Sequence, residues 1–597
     1  MAQPTATTKK SSHFHAIAAI LLVVSTLICY LIASSGGSTK IQRMTVPGEN
    51  GLSMSYELWT PKEASTENKL PLCIVWPGRS SNSHQLDAWA MEFSHHGYVA
   101  VTVDWNGNGE TDVMSGTESY VCSLMDSVLQ IPYVDTEKVV VLGNSAGNSA
   151  ATLAAQLYAD NVVAYIDDVH PLLLPTNLPP CNMLIIEAIA DQYVRTFVGD
   201  QDAVYATITE AWGLEEPVVE GQFYGNADDG TLRQFVVTPT IHQISAMNAW
   251  GIEAACSFLK TFLPQKEVSG LIMGWYQIAQ LIAYACIIVF IAALGSWMYD
   301  NIPYFHSIGN APTANKGLRG KALTWNIVVA MLIPLITFFP VSWAFHNAEF
   351  LNQIFPSRNL RGILGWLVTN AVITLIMTCV STSRKKKAGL SIQASDFGFS
   401  GEGEKVQPWK IGRAFLMGAI IVYILYAWVA LVEKVFGINY QIWNVLNISA
   451  IPANRLFKAI PFICCVMVIM FASNIGMNTT RRLADTGNPK RDMAVQIALN
   501  VFVAAGVITL LLLAQYGIGW ATGHYLMPQM ENFGGGTSSG SLDFSFGFPM
   551  IMGFSSGIST YFYRKTNNIW IGLFISSILA GFVGVVGATF ITGHAVM

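Results

Sequence analysis

This chain has little charge. Asp, Glu, Lys and Arg make up 12% of its 597 residues, about half the share of about 25% usual in soluble domains. That scarcity excludes a disordered, solvent-coated chain. A net charge of −5 with no basic stripe excludes a nucleic-acid partner. CxxC pairs and Cys/His clusters are also missing. The nine cysteines are scattered, with Cys73, Cys122, Cys181 and Cys256 in mixed sequence and Cys29, Cys286, Cys379, Cys464 and Cys465 in apolar stretches. No structural metal site is expected on that spacing, and no cofactor is expected. Cys73 falls inside an apolar run and is expected to be a buried free thiol. The Gly-rich tract 534–541 has neither the lysine nor the strand-to-helix setting of a phosphate cradle, and reads as a flexible outer loop.

What is present is apolar residue, 52% of the chain, unevenly spread. The length is too great for one ordinary domain. Residues 1–15 are polar and are expected to form a cytoplasmic tail. Residues 16–33 then form an uncharged apolar run of about 18 residues, enough to span a bilayer. The run is longer than a typical signal-peptide core, so an uncleaved anchor is the preferred reading over a cleaved signal. Residues 40–265 read as a soluble domain, and almost everything after 270 as membrane.

The soluble part is organised around residues 139–151, VVVLGNSAGNSAA. An apolar, β-branched run enters G-x-S-x-G, and a small-residue helix follows at once. That is strand, sharp turn, helix, with Ser145 at the apex, and Gly143 and Gly147 remove the Cβ atoms that would collide with strand and helix. The Ala146 amide then faces the place where an oxyanion would form. Apolar strands are expected at 72–76, 99–104, 139–142, 162–166, 183–186 and 235–237, alternating with helices such as 85–95. Continuous apolar strands alternating with helices predict a mostly parallel sheet covered on both faces.

Over residues 50–263 the chain resembles the α/β-hydrolase family. The resemblance rests on the GNSAG elbow, the WPG turn two strands earlier, and an acid and a histidine in the family's chain order. It implies that Ser145 is the nucleophile and that Asp191, after the strand at 183–186, is the acid, with Asp200 and Asp202 as rivals. His242, after the last strand, is the implied base. His84, His95, His96 and His170 do not follow that strand. A serine hydroxyl needs a base with pKa near 7, which imidazole supplies, and a carboxylate behind the ring fixes its tautomer. WPGR stands where the family has its HG turn, so Gly78 or Arg79 would give the second oxyanion amide. Asp191 could also cap the following helix. Residues 169–181 are short and proline-rich, predicting an open site without a large lid. Residues 195–233 form an insertion, and 223–237, with Asp228-Asp229-Gly230, predict a hairpin.

After Lys266 eight apolar runs follow, at about 271–298, 322–345, 363–380, 411–432, 459–475, 495–521, 548–562 and 569–591. Alternate loops carry most of the Lys and Arg, which predicts a cytoplasmic amino terminus and an extracytoplasmic domain at 40–265. Residues 562–570 weakly resemble the CPBP (CAAX-prenyl-protease-like) intramembrane protease family. Under that alignment the family's catalytic positions fall on Ser576, Ala580, Ala453 and Asn454, so every catalytic group is lost and the bundle would be a scaffold or lipid-binding unit. Polar residues within the runs, Gln280, Asn326, Asn370, Asn474 and Asn500, suit interhelical hydrogen bonds or a pathway. The expected protein is a membrane-bound serine hydrolase acting on a small-molecule or lipid acyl ester in contact with the lipid bilayer. The alternative is a catalytically silent hydrolase-like binding domain on a scaffold or transport bundle. The sequence leaves the oligomeric state open.

Overall fold

The computed structural model describes residues 13–79, 81–170, 178–311, 317–355, 357–443, 446–526 and 540–586. Most of the expected tail, and the Gly-rich tract up to 539, lie outside them. Helix α1 (Phe14–Ala33) leads into β1 (Thr39–Pro47), β2 (Ser53–Pro61), β3 (Leu70–Trp76), β4 (Val99–Val103), β5 (Val134–Asn144), β6 (Val162–Asp168), β7 (Asn182–Ala190), β8 (Phe223–Tyr224) and β9 (Arg233–Ile241). These form one nine-stranded sheet in the order β1-β2-β4-β3-β5-β6-β7-β9-β8. Strands β3 to β7 and β9 are parallel, whereas the β1–β2 pair and β8 join antiparallel. Around the sheet lie α2 (Asp87–His95), α3 (Thr117–Val128), α4 (Asn148–Leu157), α5 (Gln192–Phe197), α6 (Gln201–Trp212) and α7 (Ala249–Leu259).

The period of two along each strand explains why both faces are covered. On β5, Val139 and Val141 pack with Leu124 of α3 and Ala151 and Ala154 of α4. Val140 and Leu142 point the other way, into a core with Trp89 and Phe93 of α2 and Phe258 of α7. Every one of these strand residues is fully buried. This is an α/β-hydrolase fold. Cys73 sits in that core as a free thiol, and burial raises it well above the ordinary range. The β1–β2 pair was not expected, because TKIQRMTVP has no continuous apolar run: β1 is the sheet edge and half-exposed. The expected 223–237 hairpin forms with only Phe223 and Tyr224 paired to β9, around a turn closed by Gly230 at φ +75°.

The rest is helical: α8 (Met273–Asn301), α9 (Pro303–His306), α10 (Gly320–His346), α11 (Arg358–Lys387), α12 (Pro408–Phe436), a two-stranded ribbon of β10 (Tyr440–Ile442) and β11 (Leu446–Ile448), and α13 (Ala459–Asn478). Then come α14 (Pro489–Leu512), α15 (Ile518–Thr522), α16 (Gly540–Asp543), α17 (Phe548–Thr566) and α18 (Trp570–Val586). Seven helical segments are long and apolar enough to cross a membrane, namely α1, α8, α10, α11, α12, α13 and the run Pro489–Thr522. They are compatible with a membrane protein. Helices α17 and α18 pack among them, and α18, at 17 described residues, is a shorter apolar helix.

The sheet domain rests on one end of this bundle. Glu92 accepts from the amides of Ile272 and Met273 at 2.7 and 2.6 Å, Gln441 donates to Asp87 at 3.0 Å, and Arg455 donates to the Gly107 carbonyl at 3.1 Å. The opposite end gathers Arg319, Arg482, Arg564 and Lys565, which bond to Asp485 and Asp300. Polar residues inside the runs bond locally or across helices, Gln280 to the Asn439 carbonyl at 2.9 Å and Asn500 to Thr560 at 2.9 Å.

Candidate active site

The site begins with a strained turn. At the end of β5 the backbone of Ser145 takes φ +51°, a left-handed conformation that costs a non-glycine residue of order 1–3 kcal/mol. The neighbours force it. A Cβ on Gly143 would lie 2.4 Å from Asn148 Cα, and one on Gly147 would lie 2.3 Å from the Trp76 carbonyl oxygen. Neither position tolerates any other residue, so β3, β5 and α4 converge on the turn and lift Ser145 out of it. Asn148 steadies the turn by donating to the Ser145 carbonyl at 3.0 Å.

Ser145, His242 and Asp191 form one hydrogen-bonded line. His242 Nε2 stands 2.9 Å from Ser145 Oγ, and its Nδ1 stands 2.6 Å from Asp191 Oδ2. The three are 51 and 97 residues apart in sequence along those two contacts and come from the ends of β5, β7 and β9. Asp191 has two duties: its Oδ1 caps α5, accepting from the Tyr193 and Val194 amides at 2.8 and 3.1 Å, while Oδ2 holds the imidazole. The rival Asp200 is spent capping α6 through the Ala203 amide at 3.0 Å, and Asp202 lies in the first turn of that helix. Among the other histidines, His84 pairs with Glu57 and His95 bonds Ser35. Ala146, Gly78 and Arg79 line the same cavity as Ser145. Gly78 packs against the elbow, where an added Cβ would be 3.4 Å from Ser145 Cβ.

Several supporting residues gave no sequence signal. The Tyr193 ring stands edge-on to His242, centroids 4.6 Å apart, and its hydroxyl donates to Asp543 at 3.0 Å. Asp543 also accepts from Tyr516, and Tyr525 donates to the Ala190 carbonyl at 2.5 Å. The bundle thereby grips the chain on both sides of Asp191. Behind the elbow, Asn144 donates to Asp168 at 2.6 Å, and Tyr165 donates to Asp167 at 3.1 Å. His170 lines the cavity, and burial pulls it down to about 4.

The expected open site is not what forms. Ser145 opens into a cavity of about 1310 Å³ whose walls include Glu349, Asn352, Ser357, Phe544 and Phe546 and side chains of α11, α13, α14 and α17. The covering comes from the bundle, whereas the expectation weighed only the short segment 169–181, of which 171–177 lie outside the described residues.

Burial pushes the Asp167 carboxyl up to about 7, the Tyr165 hydroxyl offsetting only part of that. The folded state therefore holds its proton from about pH 4 to about 7 while the unfolded state does not, so this group's contribution to stability falls as pH rises through that window. A displacement of about three pH units corresponds to at most about 4 kcal/mol. Asp167→Asn should match wild type in melting temperature near pH 4 and exceed it increasingly up to about pH 7, read by thermal unfolding of the full chain in detergent.

One group among the described residues could hold a metal ion: Glu57, His84 and Asp87, with ligand atoms within 4.8 Å of one another. Arg43 and His84 pair with Glu57, and Gln441 donates to Asp87, so the group is already engaged within the protein.

No protein-family model matches the chain, and no curated protein matches it. Among solved structures, an esterase of Pyrococcus furiosus is similar at 12% identity, over 38% of this chain and 96% of its own, with a TM-score of 0.29. A predicted CIB-like hydrolase from Thermoplasma acidophilum is similar at 12% identity over 38% and 100%, TM-score 0.28. A serine hydrolase without lid from Xanthomonas campestris is similar at 17% identity over 38% and 97%, TM-score 0.28.

Proposed function

We propose that the protein is a membrane-embedded serine hydrolase that cleaves a carboxylic ester. The observation that carries this reading is the continuous line Asp191–His242–Ser145 at 2.6 and 2.9 Å, set on a turn whose φ of +51° holds Ser145 out into the cavity. Ser145 Oγ attacks the ester carbonyl and its proton passes to His242 Nε2. The amides of Ala146 and of Gly78 or Arg79 hold the oxyanion. Collapse breaks the ester C–O bond, and the alcohol leaves with the proton from His242. Water then gives its proton to His242 and its oxygen to the acyl carbon, and the acid departs from a regenerated Ser145. Asp191 keeps Nδ1 protonated throughout, which leaves Nε2 free to accept.

The placement of charge supports an orientation. Arg319, Arg384 to Lys387, Arg481, Arg482, Lys490, Arg491, Arg564 and Lys565 sit in the loops or the adjoining helix turns at the bundle end opposite the sheet domain. By the positive-inside rule that end is cytoplasmic and the hydrolase domain faces outward. Ser576 and Ala580, where the protease-like alignment would need catalytic groups, offer none: Ser576 donates to the Ser555 carbonyl at 3.2 Å and Ala580 lines the cavity. The bundle is therefore read as a support and lining, with the chemistry at Ser145.

Turnover of p-nitrophenyl butyrate by the purified full chain tests the activity, which must vanish in Ser145→Ala. Tyr193→Phe keeps the ring against His242 but loses the tie to Asp543. A hydrogen bond to a carboxylate is worth about 1.5–3 kcal/mol, so turnover should fall about tenfold or more with KM little changed.

A further inference from the structure

The cavity that opens on Ser145 does not stop at the sheet domain. Along α13 its wall runs from Phe462 through Val466, Ile469 and Ser473 to Gly476. That is fourteen positions and, at about 1.5 Å per residue, about 21 Å of helix. One leaflet of a bilayer core is about 15 Å, half of about 30 Å. The cavity thus reaches past the membrane midplane if α13 stands upright. Facing walls are apolar too: Leu364 and Leu367 come from α11, and Val503 and Val507 from α14.

Few polar side chains interrupt these walls, and Asn370 among them bonds within the bundle. Asn370 donates to the Trp366 carbonyl at 2.9 Å and to Thr337 at 3.1 Å. Arg481, beyond the end of α13 and close against Gly476, marks where the apolar wall stops. At the other end the character changes: Arg79, Asn82, Trp105 and Asn106 line the part of the cavity beside Ser145. A volume of about 1310 Å³ also exceeds the roughly 300–1,000 Å³ of an ordinary small-molecule pocket. The space is long and amphiphilic, with the reacting atom at the junction of its polar and apolar parts.

We infer that the substrate is an ester of a long acyl chain, with the chain lying among α11, α13, α14 and α17 and its carbonyl at Ser145. The inference rests on the serine-hydrolase reading and adds the substrate class to it. The alcohol portion occupies the polar region beside Arg79 and Asn82. The bundle then supplies half of the binding site, which explains why a hydrolase domain is joined to so many apolar helices.

The test uses the full chain in lipid nanodiscs, with p-nitrophenyl esters from butyryl to hexadecanoyl supplied below their aggregation limits. Each methylene buried from water is worth up to about fourfold, and partition into the nanodisc takes back part of that. The specificity constant should still rise at least about 100-fold from butyryl to dodecanoyl. Val466→Trp obstructs the cavity about 6 Å below Phe462 and Ser473→Trp about 16 Å below it. Both should shift the preferred chain to shorter esters, and Val466→Trp should shift it further. Ratios between chain lengths are read within each variant, so a smaller folded fraction cancels. A flat chain-length profile in the wild type, or tryptophans that lower all esters equally, would overturn the inference while butyryl turnover through Ser145 left the hydrolase reading standing. Absence of butyryl turnover in folded protein would remove both.

Discussion

Ser145→Ala should lower ester turnover by a factor on the order of 10⁴–10⁶ while leaving the fold intact. The size follows from what is lost. Without Oγ there is no acyl intermediate, and His242 has no hydroxyl to deprotonate. The fold should survive because alanine meets the same left-handed backbone cost at φ +51° that serine already bears, and the collisions that define the turn belong to Gly143 and Gly147. The measurement is p-nitrophenyl butyrate turnover beside a thermal melt. A melting temperature within a few degrees of wild type combined with lost turnover is the expected pair.

Asp191→Asn should be nearly as damaging, and by a separable route. An asparagine oxygen can still accept from the Tyr193 and Val194 amides and so preserve the cap on α5. The NH₂ that replaces Oδ2, however, is a donor, and it faces His242 Nδ1 across 2.6 Å. The ring must then present Nδ1 as the acceptor and carry its proton on Nε2, facing Ser145, where it can no longer take one. Turnover should fall on the order of 10⁴-fold with little change in melting temperature. Asp191→Ala loses both duties, so it should lose turnover and, in addition, about 1 kcal/mol of stability from the missing cap. Comparing the two variants separates the orienting role from the structural one.

Much of the site was legible in the sequence because its constraints are local. The elbow needs small residues at two fixed offsets from the serine, and GNSAG carries them between an apolar strand and a small-residue helix. Asp191 and His242 could be placed because each follows an apolar strand at its carboxyl end. Their contact, and the second duty of Asp191 as a helix cap, required the folded geometry. Tyr193 and Asp543 were not legible: their contact spans 350 residues, and nothing in the local pattern of either marks a partner. The covering of the site was missed for the same kind of reason. Apolar runs reveal that helices form, but which faces leave space between them depends on packing among α11, α13, α14 and α17. The β1–β2 edge escaped because a half-exposed strand lacks the continuous apolar run of a central one.

The proposed function requires that Ser145 be an activated nucleophile. Treating purified full-length protein and Ser145→Ala with a fluorophosphonate and weighing each intact tests it most directly. One adduct on the wild type and none on the variant is the expected result. An adduct that persists in Ser145→Ala, or no adduct on folded wild type, would contradict it.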